Sequence, residues 1–432
     1  MSSFVNAGQP QLFKYLYPDD GWHMLVSAQR PFLAMVPKGE AATGVTSSGG
    51  AMGAGTGIVH VWNYSNPQAA SMSHGSALAQ QDSLVTGQQI LVQLSQVYAY
   101  LRFNAKELNA SKNNMAAYMS TKKLNVDQAI EQISLELDLA LHRPGNGILG
   151  TVTNVTGNVI TLATTTSIQQ WQKFMRIVSA STYPTSGAAP TLGPGNAQVL
   201  GVNQSYTGTG FTIQLTVDNA AGFDATTNKY IIRLGNTLGF SSTNQEGNII
   251  GMAAWVPDSR GTPQAGENFL GSGLDRTTDL YRLSGIQISG SGKTYREAIQ
   301  EACAVVHSLG GRPDVCLMNP IDWQKANIEL QGYARYEEFT VGNIAFSALV
   351  IASPSGNKLR LMSDPNQDVG FVRGITLDSW KLWHLNDLVH TIMDDGLELR
   401  KDPGADAFQL GIRCWPQLVC FDPRANFVIS GF

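Results

Sequence analysis

The chain has 432 residues, enough for two or three domains with a substantial core. Charged residues make up 14% of it, against roughly 25% in ordinary soluble domains, and Ser, Thr, Asn, Gln and Gly take their place. A net charge of −4 without runs of like charge excludes the basic footprint of sequence-driven nucleic-acid binding, and no stretch approaches the ~18 apolar residues of a membrane span. A surface so poor in charge costs little to desolvate, which suits a subunit that buries much of itself against neighbours.

The opening MSSFVNAGQP has no basic segment followed by an apolar one, so no signal peptide is expected. Residues 1–50 carry aromatics and prolines without a sustained period, among them Phe13, Tyr15, Trp22 and Phe32, and read as an extended arm. The glycine-rich run GVTSSGGAMGAGTG (44–57) is a turning segment. IVHVWNY (58–64) and QQILVQLSQVYAYLRF (88–103) read as two long strands joined by a Ser/Ala/Gln-rich stretch. Such a hairpin has too little apolar surface to stand alone and must lie on something else, such as another subunit.

Residues 104–120 are compatible with helix and lead into the best-defined helix of the sequence, Thr121 to Arg143. Val126, Ile130, Ile133, Leu137 and Leu141 share one face. Asp127, Glu131, Ser134 and Asp138 form a polar stripe beside it, and Leu135 and Leu139 place apolar surface on the opposite side. Asn125 is the expected N-cap, and Pro144-Gly145 ends the helix after roughly 25 Å. From Gly147 to about Gly239, short Thr/Val/Ile-rich runs separated by turns indicate a small all-β module, placed at 148–237. Residues 240–292 read as irregular. TYREAIQEACAVVHSLG (294–310) is a helix capped by Thr294 with Glu297, PDVCLMNP (313–320) a buried strand, and IDWQKANIEL (321–330) a second helix. Mixed β-runs fill the remainder, which makes the chain α+β.

Three constellations invite a chemical reading. Gly292-Lys293-Thr294 before a helix looks like a phosphate loop, but that motif requires glycine at the position held by Gln287, and Thr294 is explained as a cap. The seven histidines form no HxxxH, HExxH or HxH set, so no metal site is expected; His384 and His390 read as structural, and Asp394-Asp395-Gly396 as a turn. Cys303, Cys316, Cys414 and Cys420 lack metal-ligand spacing and read as reduced core thiols. No catalytic residue, cofactor or metal ligand is assigned.

The order of arm, long two-stranded loop, long helix and mixed α/β region, with RPDVCLMNPIDW (312–323) and the terminal QLVCFDPRANFVI (417–429), resembles the major capsid proteins of tailed bacteriophages with the Hong Kong 97-type fold. The resemblance implies an N-arm at 1–50, an extended E-loop at 51–104 and a peripheral domain with spine helix at 105–147. Around the inserted β-domain it implies a further peripheral segment at 238–292, an axial domain at 293–400 and closing strands at 401–432. It implies a non-enzymatic virion protein, made in the host cytoplasm, that self-assembles as pentamers and hexamers into an icosahedral head enclosing double-stranded DNA. A separate scaffolding protein, a portal and a decoration or cement protein would be its partners, with no membrane involved. Some relatives crosslink through an E-loop lysine. This chain has no lysine between Lys38 and Lys106, so noncovalent interlocking of arm and E-loop is expected. Intersubunit contacts are expected at Phe13, Tyr15, Trp22, Leu91, Leu94 and Tyr98. The alternatives are another virion subunit, a nanocompartment shell of the same fold, or a glycan-binding module presenting Trp171, Tyr183, Tyr206 and Tyr230.

Overall fold

The computed structural model describes residues 30–40, 57–65, 71–79, 86–106, 115–163, 170–183, 189–206, 211–236, 248–258, 263, 269–270, 274–331, 335–341, 344–354, 356–385, 388–392, 400–402, 404 and 406–432. Strands and helices are mixed, and the class is α+β as expected.

The first part of the chain supplies α1 (Pro31–Met35), β1 (Lys38–Glu40), β2 (Gly57–Ser65), α2 (His74–Ala79), β3 (Thr86–Gln93), β4 (Val97–Asn104) and α3 (Met115–His142). Helix α3 is the long helix of the sequence, but it starts earlier than Asn125. Met115–Ser120 are helix-compatible and simply extend it, so Asn125 lies inside the helix rather than at its N-terminus. Its apolar row is buried as the spacing predicts: Val126, Ile130, Ile133, Leu137 and Leu141 all lie in the main core. Leu135 and Leu139 are buried as well, so the C-terminal half is covered on two sides. Ser134 and Asp138, expected on a polar stripe, are fully enclosed. Phe32 of α1 wedges between the His142 ring, at 5.8 Å, and the Trp380 ring, at 6.3 Å.

The run 88–103 is not one strand. Residues 94–96 break it, and the two halves join different sheets. β3 pairs antiparallel with β2 in a two-stranded ribbon, with His60 opposite Ile90. β4 pairs instead with β20 (Ala407–Cys414) in the body of the molecule. The break is set by side chains from elsewhere: Gln417 Nε2 donates to Gln93 O at 2.8 Å and to Ser95 Oγ at 3.3 Å, pinning the bend in the interior.

Next come β5 (Ile148–Thr156), β6 (Val159–Leu162), β7 (Arg176–Ala180), β8 (Leu192–Tyr206), β9 (Phe211–Val217) and β10 (Tyr230–Arg233), which close into a barrel in the order β10-β5-β6-β9-β8-β7. Its interior is its own core, with Val152, Ile160, Ile177, Val199, Ile213, Leu215 and Ile231 at its centre. The chain enters through Gly147 at φ +74, where a Cβ would collide with the Asn236 carbonyl on the way out.

The remainder carries α4 (Met252–Trp255), α5 (Leu280–Ser284), β11 (Ile286–Ser289), α6 (Tyr295–Ser308), β12 (Val315–Met318), α7 (Pro320–Leu330), β13 (Arg335–Val341), β14 (Ile344–Ala352), β15 (Lys358–Ser363), β16 (Phe371–Ile375), β17 (Trp380–His384), β18 (His390–Thr391), β19 (Arg400–Lys401), β20, β21 (Pro416–Cys420) and β22 (Phe427–Ser430). Seven of these strands form one sheet in the order β11-β22-β16-β12-β15-β14-β13. Alternation along β12 shows how both faces are covered: Cys316 and Met318 pack with α6, whereas Val315 and Leu317 join the main core with α3. Helix α6 has the predicted capping box between Thr294 and Glu297. Gly251 crosses the end of α3 so closely that a Cβ there would lie 2.3 Å from the Ala140 carbonyl oxygen and 2.4 Å from that of Arg143.

Candidate functional site

Two places stand out: the outward face around β2, β3 and β4, and a polar cluster sealed beneath α3. At the first, β2 pairs with β3 and with no other strand among the described residues. The root of β3 is fixed because Ile90 and Val92 are buried in the main core. Among the described residues both edges of the ribbon lack a further strand, and eight residues span roughly 27 Å at ~3.4 Å each.

Strand β4 alternates cleanly. Ala99, Leu101 and Phe103 turn toward the body, and Tyr98, Tyr100 and Arg102 turn outward. The rings of Tyr98 and Tyr100 stack at 6.4 Å and are 46% and 65% exposed. Beside them a groove of about 520 Å³ runs between β4, the last turns of α3 and the entry to the barrel, lined in part by Tyr98, Tyr100, Gln132, Glu136, Arg233 and Asn248. Arg233 forms an ion pair with Glu136, tying β10 to α3, and Gln172 donates to Gln132 at 3.1 Å.

The six expected contact residues separate accordingly. Phe13, Tyr15 and Trp22 lie outside the described residues. Leu94 is buried inside the subunit and Leu91 is half-buried, so Tyr98 alone of the three described ones is exposed. Its neighbour Tyr100, more exposed still, was not singled out from the sequence, although strict alternation from Tyr98 points to it.

The barrel does not form an aromatic platform. Trp171 packs in the barrel core, Tyr183 and Tyr230 lie against each other at 5.4 Å, and Tyr206 is the exposed one. Lys293, the lysine of the phosphate-loop look-alike, bonds Glu301 at 2.5 Å. All four cysteines are buried free thiols, and burial pushes the thiols of Cys316, Cys414 and Cys420 well up. Asp394-Asp395-Gly396 lies outside the described residues, while His390 packs on Trp415 at 5.1 Å and accepts from Arg413 Nε at 2.8 Å.

The polar cluster was missed. Asp138 and His142 are four residues apart, hence on one face of α3, and Asp364 reaches them from the loop after β15. Each of the three offers a ligand atom, and these atoms lie within 4.8 Å of one another, all buried. His142 Nε2 is 3.1 Å from Asp364 Oδ2, and its Nδ1 is 3.2 Å from Gln367 Oε1. Asn366 donates its side-chain amide to Asp138 Oδ2 and its backbone N–H to Asp364 Oδ1 at 3.0 Å. Burial, and then the Asp364 charge, raise the Asp138 carboxyl to about 7. For His142 burial acts downward, but the charge and hydrogen bond of Asp364 outweigh it and the imidazole is raised. The sequence carried half of this signal in the D-x-x-x-H spacing. Asp364 lies more than two hundred residues on, beyond any local pattern.

No family model and no curated protein matches the sequence. Among solved structures, the chain is similar to a chain of the cyanophage A-1(L) capsid asymmetric unit, at 11% identity and a TM-score of 0.48, covering 94% of this chain and 93% of that one. It is likewise similar to a chain of Mycobacterium phage Bobi, at 9% identity and a TM-score of 0.41 with 98% of each chain covered. A chain of the encapsulin complex from Synechococcus elongatus is similar at 7% identity and a TM-score of 0.41, over 93% of this chain and 86% of that one.

Proposed function

We propose that this chain is a shell-forming structural subunit, the major capsid protein of a tailed phage, which assembles as pentamers and hexamers around double-stranded DNA. The observation that carries the reading is the β2–β3 ribbon. Two strands with a buried root and unpaired edges are marginal in water. Among the described residues no further strand pairs with its edges, and edges of that kind are suited to a surface from outside. A second copy of the chain is the simplest source of that surface, and the exposed Tyr98–Tyr100 pair lies just beyond the root of the ribbon, ready to pack against it.

The rest of the molecule suits that role. Helix α3 is packed against both the main core and the barrel entry, and the seven-stranded sheet is buried on both faces, giving packed parts from which the ribbon can be presented. A net charge of −4 fits containment of nucleic acid without sequence-specific contact. Among the described residues no helix is long and apolar enough to cross a membrane. In this reading the arm and ribbon interlock noncovalently, and scaffolding, portal and cement proteins come from other genes. The barrel sits on the subunit as an added outer module.

Electron microscopy and light scattering of the purified chain, with and without neighbouring virion genes co-expressed, test this. Closed shells, or rings of five and six, are expected. A stable monomer under every condition overturns it.

A further inference from the structure

Asp138, His142 and Asp364 are 0%, 5% and 0% exposed, and they connect two layers of the molecule. The first two sit on α3, and the third begins the loop that leaves the seven-stranded sheet. Each hydrogen bond in the cluster has a direction that leaves something over. With the proton of a neutral His142 on Nδ1, facing Gln367 Oε1 at 3.2 Å, the lone pair of Nε2 is turned toward the carboxylates. Imidazole ligands of metal ions are held in this way, their second nitrogen donating to a carbonyl or carboxylate oxygen. Gln367 is itself 1% exposed.

Asp138 supplies the second observation. Its Oδ2 accepts from Asn366, but its Oδ1 has no hydrogen-bond partner although the residue is fully enclosed. Asn366 Oδ1, 1% exposed on the amide that touches Asp138, also has no partner. The metal-free alternative is a proton on Asp138 Oδ1 donated to Asn366 Oδ1, the other orphan. Leaving Asp138 ionised beside Asp364 with a protonated His142 buries a net negative charge. Two arginines lie near the cluster and act on it through their charge: Arg30, which pairs with Glu131 at 2.5 Å, and Arg373, which donates to the Val256 carbonyl at 3.1 Å and lies 3.6 Å from Asp258.

A divalent cation satisfies all of these conditions at once. Two carboxylates and one neutral imidazole around it sum to zero charge. The 3.1 Å between His142 Nε2 and Asp364 Oδ2 is the separation of two adjacent ligands on one ion with bonds of about 2.0–2.2 Å. We propose that Asp138, His142 and Asp364 bind one first-row divalent transition cation, with the orphan Asn366 carbonyl oxygen as a further ligand, and that the ion staples the long helix to the sheet. The mixed nitrogen and oxygen donors favour Zn²⁺ or Mn²⁺ over Ca²⁺, which takes six to eight oxygens. This site does not depend on the shell-forming role.

The test uses the full chain, stripped with a chelator, dialysed against Zn²⁺ or Mn²⁺ and assayed by plasma mass spectrometry and calorimetric melting. One equivalent per chain is expected, with a Tm rise of about 3 °C at roughly a hundredfold excess over Kd, reversed by a chelator. Asp138→Asn, which keeps the shape of the side chain, and His142→Gln should each weaken binding at least tenfold. Co²⁺ absorption of the wild-type chain gives an answer even if neither variant folds, since a protein-bound spectrum differs from that of aqueous cobalt. Sub-stoichiometric metal with no melting shift and an aqueous cobalt spectrum would overturn the site in favour of a shared-proton cluster. Equal binding by folded variants would overturn it as adventitious.

Discussion

The barrel and the β2–β3 ribbon are both β-structure built from polar, Thr- and Gln-rich sequence, yet they solve the edge problem in opposite ways. The barrel closes β10 onto β5 and β7, so each of its strands has two neighbours and its apolar side chains meet inside. The ribbon has two strands with no further strand on either edge among the described residues, and its fixed end is held by the core of the body. Closure yields a module that can be attached without altering its host. An open ribbon yields a piece of structure whose stability lies with whatever covers it.

The largest expected effect comes from removing the ribbon. Cutting it back to the His60–Ile90 pair with an Asn-Gly turn keeps the buried Ile90 and Val92 and preserves the main core. Shells should be abolished in electron micrographs while the subunit's melting temperature changes by no more than about 2 °C, because the β3 residues buried in the main core are kept. Unchanged shells would remove the ribbon from the assembly argument. The reverse experiment is Ile213→Ala inside the barrel. Its buried site predicts a loss of about 2–5 kcal/mol, read by hydrogen exchange confined to 148–233, with shell formation retained. Loss of shells with a destabilised barrel would show that the barrel belongs to the assembly surface too.

Replacing Tyr98 and Tyr100 together with Ser tests the region between the two. Stability of the isolated subunit should change by no more than about 1 kcal/mol, because both residues are exposed, Tyr98 at 46% and Tyr100 at 65%, whereas the assembly threshold measured by light scattering should rise several-fold. The smallest effect is a pH dependence in the barrel. The Asp224 carboxyl accepts the backbone N–H groups of Thr227 and Thr226, which lower it from 3.8 to about 2. A carboxyl depressed on folding stabilises fully above its unfolded value and loses that contribution as pH falls toward 2. The Tm gap between wild type and Asp224→Asn should therefore be widest at pH 5 and shrink steadily down to pH 2.5. A constant gap would mean that the turn is held by other groups.

Much of this architecture was written locally. The apolar row of α3, the capping box of α6 and the Thr/Val/Ile runs of the barrel are short-range patterns, and each reports burial or backbone preference directly. Two readings went astray for one reason. The stretch 88–103 looks continuous because β-propensity does not register which sheet a strand joins, and the bend at 94–96 is imposed by Gln417 from the far end of the chain. Asn125 looks like a cap because its type suits one, but the preceding segment is already helical and leaves no free N–H groups there to satisfy. The polar stripe of α3 shows the same limit, since Ser134 and Asp138 have the composition of a solvated face and lie fully buried.

The sequence by itself determined the periods: which residues of α3 face a core, where α6 begins, and that short strands follow the long helix. Those properties depend on interactions within a few residues. Tertiary structure alone decided that the strands close into a barrel, that β3 and β4 part company, and that Asp364 meets Asp138 and His142 beneath the long helix. Each of these joins groups far apart in the chain, and their meeting is fixed by how whole layers pack rather than by any local preference.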